Sequence, residues 1–239
     1  MRDEPLPTTS RVGHRSDPTT RRPRASFAPP SPTEVPQPPP ERLMASGDRR
    51  HAVVITHEQV VDGHDAELLW EAYRANFEPL AELAMLQHVF TRDEVLAELA
   101  NPRILKIVGR ENGRPVGLGL VTNSLDDVPQ ISPAFLHAKY PDHAERDAIY
   151  FGILVMVAPE HRGRTLFTRL YTEMWQVPAR VGGVLAFDVC DFNRLAFDAD
   201  ALAQRIADQF PEASVGVVDR QSYYVAELPR PLPDSGIRR

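Results

Sequence analysis

Val155-Met-Val-Ala-Pro-Glu-His-Arg-Gly-Arg-Thr165, continuing as Leu166-Phe-Thr-Arg-Leu-Tyr-Thr-Glu-Met-Trp175, is the stretch on which the reading of this chain turns. The apolar run from Tyr150 to Ala158 predicts a buried strand. Pro159 ends it, because proline cannot donate to a sheet ladder. A short basic loop with Gly163 follows, and then Leu166, Leu170 and Met174 recur at helical spacing. The strand is expected to end at Ala158, and the helix to begin within two residues of Arg162. The first N–H groups of a helix have no internal partner, so a strand, a glycine-bearing loop and a helix start together make an anion site. Arg162 and Arg164 add positive charge beside it. A pyrophosphate fits such a site.

Outward from that unit, the chain alternates strand and helix signals. Ala52 to Thr56 reads as a short strand. Asp65 to Gln87 carries Leu68, Leu69, Tyr73, Phe77, Leu80 and Leu83 at helical intervals, broken near Pro79. Thr91-Arg-Asp-Glu94 has the spacing of a capping box, so a helix runs to about Ala100 and stops at Asn101-Pro102. Asn112-Gly113 between two apolar runs, Ile104–Val108 and Val116–Val121, predicts a hairpin. An insertion from Asn123 to Asp147 holds Ser132-Pro133 as cap and first residue of a short helix. Gly182-Gly183 leads to a second buried strand, Val184–Cys190. Asn193 to Phe210 reads as one amphipathic helix capped by Asn193, and Ser214–Asp219 with Ser222–Leu228 as a last hairpin. The expected fold class is α/β, with a mixed, largely antiparallel sheet flanked by helices.

Val157-x-Pro159-x-x-Arg162-Gly163-Arg164 resembles the central motif of the GNAT N-acyltransferase superfamily. The order of elements, read from periodicity and turn signals over residues 51–229, is also the order of that fold. The resemblance implies acetyl-CoA or another acyl-CoA as co-substrate. It puts Arg162, Gly163, Arg164, Thr165, Leu166 and Phe167 around the pyrophosphate, and the backbone of Val155, Met156 and Val157 at the thioester carbonyl. Asn193 would reach the pantetheine arm; it can equally be a plain helix cap. This chain has Thr165 where the family usually has its second glycine, Phe167 where it has Gly or Ala, and Asp200 where many members have a tyrosine acid. Those departures keep a second class open, a GNAT-like binding or regulatory domain without chemistry.

The chemistry implied is acyl transfer to an amine, whose proton a base or a water chain must take. Candidate catalytic residues are Tyr150 and Asp191, with Glu145 and Asp147 as further acids near the central strand. Phe151 stands where some family members carry a glutamate base. Cys190 is the single cysteine, which excludes an internal disulfide and a cysteine-built metal site. The spacing of His137 and His143 with Asp142 fits no helical or strand ligand pair, and His57 and His64 flank a loop with Asp62 and Asp65 that reads as solvent-exposed, so no metal is expected; His161 could hydrogen-bond a phosphate.

Composition bounds the rest. Residues 1–50 hold 11 of the 23 prolines, nine arginines and six acids, with little apolar periodicity. They are expected to form a disordered Pro/Arg-rich tail, and residues 230–239 a flexible C-terminal one. Residues 51–239 carry 18 basic and 27 acidic side chains. An acidic domain favours a cationic amine, on a small molecule or a peptide, over nucleic acid. No run reaches membrane-spanning length and no signal peptide is evident, so a cytoplasmic protein without membrane contact is expected. Twenty-five arginines against two lysines suit a GC-rich bacterial genome. Sheet edges and the last hairpin make a homodimer possible.

Overall fold

A computed structural model describes residues 52–85, 88–163 and 165–227. The expected tails, residues 1–50 and 230–239, lie outside the described residues, as does Arg164.

The sheet grows from the predicted hairpin. Asn112 and Gly113 both take positive φ, 51° and 83°, as a tight two-residue turn requires. They join β2 (Leu105–Glu111) to β3 (Arg114–Thr122). β1 (Val54–Glu58) pairs antiparallel with β2, and β3 antiparallel with β4 (Ile149–Val157). β5 (Val184–Phe187) then adds parallel to β4, giving the order β1-β2-β3-β4-β5. This is the mixed, largely antiparallel α/β sheet the sequence predicts. In β4 the register slips: Leu154 pairs with Leu120 and Gly152 with Val121, so Ile153 is an extra, bulged residue.

The helices form where their caps predict. α1 (Gly63–Phe77) and α2 (Leu80–Leu83) are separated at Glu78-Pro79. α3 (Arg92–Ala100) has both bonds of its capping box: the Thr91 N–H donates to the Glu94 carboxylate at 2.7 Å, and the Glu94 N–H donates to Thr91 Oγ1 at 3.4 Å. Ser132 caps α4 (Pro133–Lys139), and α5 (Pro141–Ala144) follows. The last helices among the described residues are α6 (Leu166–Ala179), α7 (Asp191–Ala196) and α8 (Ala199–Ala207).

Glycines decide how close α6 lies to the sheet. A Cβ on Gly117 would stand 2.7 Å from Leu170 Cδ1, and one on Gly119 2.9 Å from Met174 Sδ. Gly152 faces α6 in the same way, with Met174 Cε at 3.0 Å. Alternation then turns Val116, Leu118 and Leu120 to the other face, which α1 covers. On that face, beyond α1, the insertion packs Leu125, Val128 and Leu136 on Ile149 and Phe151 as a smaller core.

Some expectations fail. Ladder pairing ends at Val157, although the Ala158 N–H still bonds Val116 O at 2.9 Å. α6 starts at Leu166, farther from Arg162 than expected, because Pro159–His161 forms a 3-10 turn and Gly163 reverses the chain at φ 71°. β5 stops at Phe187, short of Cys190. The single helix expected over Asn193–Phe210 is two: Asp198 takes φ 50°, and its carboxylate caps α8 by accepting from the Ala201 N–H at 3.3 Å. Cys190, not Asn193, is the N-cap of α7. The last hairpin is absent from residues 214–227, where Val217 is 59% and Tyr224 91% exposed. Alternating apolar residues make a strand only where a neighbouring strand accepts them.

Candidate functional site

The site lies where β4 and β5 part. Their last pair is Gly152–Phe187, yet β4 runs on to Val157. Since the Ala158 N–H bonds toward β3, alternation aims the backbones of Met156 and Leu154 at β3. Those of Val155 and Val157 face the gap that β5 has left. Asn76 Nδ2 takes the Val157 carbonyl there at 2.9 Å, which leaves two strand N–H groups facing the opening. Ile153 and Val155 line the gap, together with Phe167 and Tyr171 of α6, and Phe197 and Leu202 near α8. Burial pushes the Tyr171 hydroxyl up, so it stays neutral. Phe167 and Phe197 meet edge-on across the mouth, with ring centroids 6.1 Å apart.

The loop into α6 is fastened on two sides. His161 is buried, at 5% exposure, with Nε2 3.3 Å from the Glu111 carboxylate; this ties the loop to the β2–β3 hairpin. Its Nδ1 is buried without a partner among the described residues. Arg162 turns back onto α1, donating to Asn76 Oδ1 at 2.9 Å and Ala75 O at 3.2 Å. Gly163 has nothing within 4 Å of where a Cβ would stand. The first helical bond of α6 runs from the Arg169 N–H to Thr165 O at 3.0 Å. The N–H groups of Leu166, Phe167 and Thr168 therefore have no partner among the described residues, and the first turn holds no acid. A diphosphate would find backbone donors, a helix dipole and an unobstructed glycine there. An extended amide-bearing arm would find the two β4 N–H groups. The donor set fits an acyl-CoA, with the Phe167–Phe197 contact narrowing its path.

The expected site residues divide accordingly. Val155, Gly163, Thr165 and Phe167 gather around the gap and the start of α6. Met156 and Leu166, at 2% and 3% exposure, belong to the core and offer backbone only. Asn193 is the third residue of α7, its carbonyl accepting from the Phe197 N–H at 3.3 Å. Tyr150 shares the α6 face with Gly152 and packs against the main core, one strand turn before the gap. Asp191 is exposed and paired with Arg194 at 2.8 Å; that bond holds its carboxyl below the usual range. Glu145 and Asp147 lie in the turn after α5. Among the described residues no three His, Cys, Asp or Glu side chains gather as metal ligands.

Sequence reasoning passed over Asp188, which lines the gap just past the end of β5. Read as the middle of a longer apolar strand, it carried no signal. Burial at the gap pushes its carboxyl up, against a hydrogen bond from its own backbone N–H.

No protein-family model matches this chain, and no curated protein sequence does. Among solved structures, it is similar to a GCN5-related N-acetyltransferase from Ralstonia eutropha JMP134. That likeness has 16% identity and a TM-score of 0.46, and covers 72% of this chain and 99% of that one. It is also similar to yncA, a putative acetyltransferase from Salmonella typhimurium with acetyl-CoA, at 18% identity and TM-score 0.42, covering 67% of this chain and 79% of that one. A third is an aminoglycoside acetyltransferase from an uncultured soil metagenomic sample in complex with sisomicin: 13% identity, TM-score 0.41, 73% of this chain and 97% of that one. At such identities and TM-scores, function has to be argued from this chain's own residues.

Proposed function

We propose that this chain is an acyl-CoA-dependent N-acyltransferase that moves an acyl group, acetyl first among them, directly to an amine. One observation carries the reading: the N–H groups of Val155 and Val157 face a gap between parallel strands, beside a helix start whose first N–H groups have no partner among the described residues. Donors fixed in a strand stabilise an oxyanion without reorganising, the largest single term in many acyl transfers. Holding both substrates in the gap supplies much of the remainder. Thr165 and Gly163 at the loop, and Val155 along the gap, are the contacts this reading assigns to the co-substrate, whose arm passes the ring of Phe167. Arg164 and Asn193 remain candidates from the family resemblance.

Transfer without an acyl-enzyme follows from what lines the gap. Cys190 caps α7 outside the gap lining, and no histidine is among the lining residues. The acceptor is a small-molecule or peptide amine rather than nucleic acid, in keeping with the acidic domain. No helix among the described residues is long and apolar enough to cross a membrane, and a cytoplasmic setting suits the reading. A homodimer is compatible with the exposed segment after α8.

A second reading has its own observation. The Phe167–Phe197 contact narrows the gap, as it would in a binding or regulatory domain that no longer admits a thioester arm. Calorimetry and thermal shift with acetyl-CoA and longer acyl-CoAs separate the two. Millimolar acyl-CoA that neither binds nor raises the melting temperature sinks the enzyme reading.

A further inference from the structure

The two faces of the sheet give the gap two sides, and one acid stands at its rim on the side away from α6. Phe187 pairs with Gly152 and packs on Tyr171 and Trp175 of α6, at centroid distances of 5.7 and 6.2 Å. Ala186, the residue before it, packs on the opposite face with the smaller core of the insertion. Continuing the alternation, Asp188 falls on the face of Ala186, beside the insertion and at the opening that Ile153 and Val155 line. An acyl-CoA reaching the gap from the start of α6 leaves that side for the other substrate.

We propose that Asp188 binds the ammonium form of the acceptor and takes its proton, an assignment that rests on the acyltransfer reading above. The carboxylate accepts one proton from R–NH3⁺, leaving R–NH2. The nitrogen lone pair then forms the C–N bond, the C–S bond breaks, and the sulfur leaves with the electron pair. The nitrogen's surplus proton ends on the thiolate, and Asp188 returns its own proton to solvent.

Three features favour Asp188 over other acids. It makes no ion pair with a described residue, whereas Asp191 is tied to Arg194, which also holds Asp200 at 2.9 Å. Burial raises its carboxyl, which makes it a better proton acceptor than a solvated aspartate. Tyr171 is the other titratable side chain lining the gap, and burial keeps it neutral. Tyr150 lies on the α6 face, away from the acceptor side.

The test uses the full chain, calorimetry with acetyl-CoA, and a panel of primary amines scored by thiol release from pH 6 to 9.5. Wild type should bind acetyl-CoA and acetylate at least one amine. Asp188→Asn should bind acetyl-CoA within about twofold of wild type and lose on the order of 10²-fold in kcat/KM at pH 7. The loss should shrink as pH rises and free amine accumulates, and Asp188→Glu should restore part of the rate. An Asp188→Asn rate within about threefold of wild type at pH 7 overturns the assignment. So does a loss that is equal at all pH values, or acetyl-CoA binding without acetylation of any amine. Absence of acetyl-CoA binding to wild type is a different result, and it removes the acyltransfer reading together with the assignment.

Discussion

Phe167, in the first turn of α6, meets Phe197, in the corner between α7 and α8, at a ring-centroid distance of 6.1 Å and an interplanar angle of 62°. That edge-to-face contact bridges the two walls of the gap between β4 and β5. Phe197 remains 45% exposed, so the pair forms a rim rather than a core. Aromatic pairs of this geometry add about 0.5–1.5 kcal/mol beyond their buried area. An arm entering the gap has to displace one ring. Phe167→Ala should lower stability by on the order of 2 kcal/mol, below the cost of a fully buried phenylalanine. It should also tighten acyl-CoA binding, most for longer acyl chains. Weaker binding of every acyl-CoA by calorimetry would instead make the ring a wall of the site.

Arg162 reaches the site through Asn76. The Asn76 amide donates to Val157 O at 2.9 Å and its Oδ1 accepts from Arg162 Nη2 at 2.9 Å, so one side chain locks strand end and loop together. Arg162→Ala and Asn76→Ala should each weaken acyl-CoA binding by about 1 kcal/mol, the net worth of such a bond. The double variant should lose little more than either alone, because both act through one network. Additive losses in calorimetry would mean that Arg162 contacts the phosphates itself.

Gly163 holds φ 71° with open space around it, so its constraint is the backbone angle rather than a clash. Gly163→Ala should cost about 1 kcal/mol in urea denaturation. Gly163→Asp should cost similar stability, yet abolish measurable acyl-CoA binding, since its carboxylate would sit against the first N–H groups of α6. Equal binding by the two variants would move the anion site elsewhere.

Local chemistry made much of this fold legible. The Thr91–Glu94 box, the Asn112-Gly113 turn and Ser132-Pro133 act within a few residues, and each forms as read. What escaped depends on distant partners. Asp198 breaks a continuous amphipathic pattern by taking φ 50° and capping α8 itself. β5 ends at Phe187 because β4 parts from it at Gly152, which nothing in Val184–Cys190 signals. Asp188 follows from that parting: inside a paired strand it is one more alternating residue, and at a strand end it stands at the gap. Of the site, the loop was readable from spacing, the helix that follows it starts later than its spacing implied, and the acid at the rim needed the sheet.

Glycine packing gives a graded test of the fold. At Gly183 a Cβ would stand 2.6 Å from the Ala148 carbonyl oxygen, which belongs to backbone and cannot swing away. At Gly119 the obstacle is Met174 Sδ at 2.9 Å, part of a flexible side chain. Gly183→Ala should therefore destabilise by about 2–3 kcal/mol and Gly119→Ala by about 1 kcal/mol. Reversal of that order in denaturant midpoints would contradict the packing of α6 and β5 described above.

Lys106, on β2, is fully buried at 0% exposure, and its Nζ donates to the carbonyls of Gln59 and Ile104 at 2.8 Å and to that of Asn101. Burial lowers its ammonium to about 8, against the pull of Glu98. An unfolded lysine titrates near 10.4. Between about pH 8 and 10 the unfolded chain thus holds a proton that the folded one has released, so this group makes stability rise with pH across that window. Lys106→Met strands three carbonyls and should cost about 3 kcal/mol at pH 7. It also removes the titration, so the gap in unfolding free energy between wild type and variant should widen from pH 8 to 10. A gap that narrows instead would show the three carbonyls outweighing burial and holding the ammonium charged.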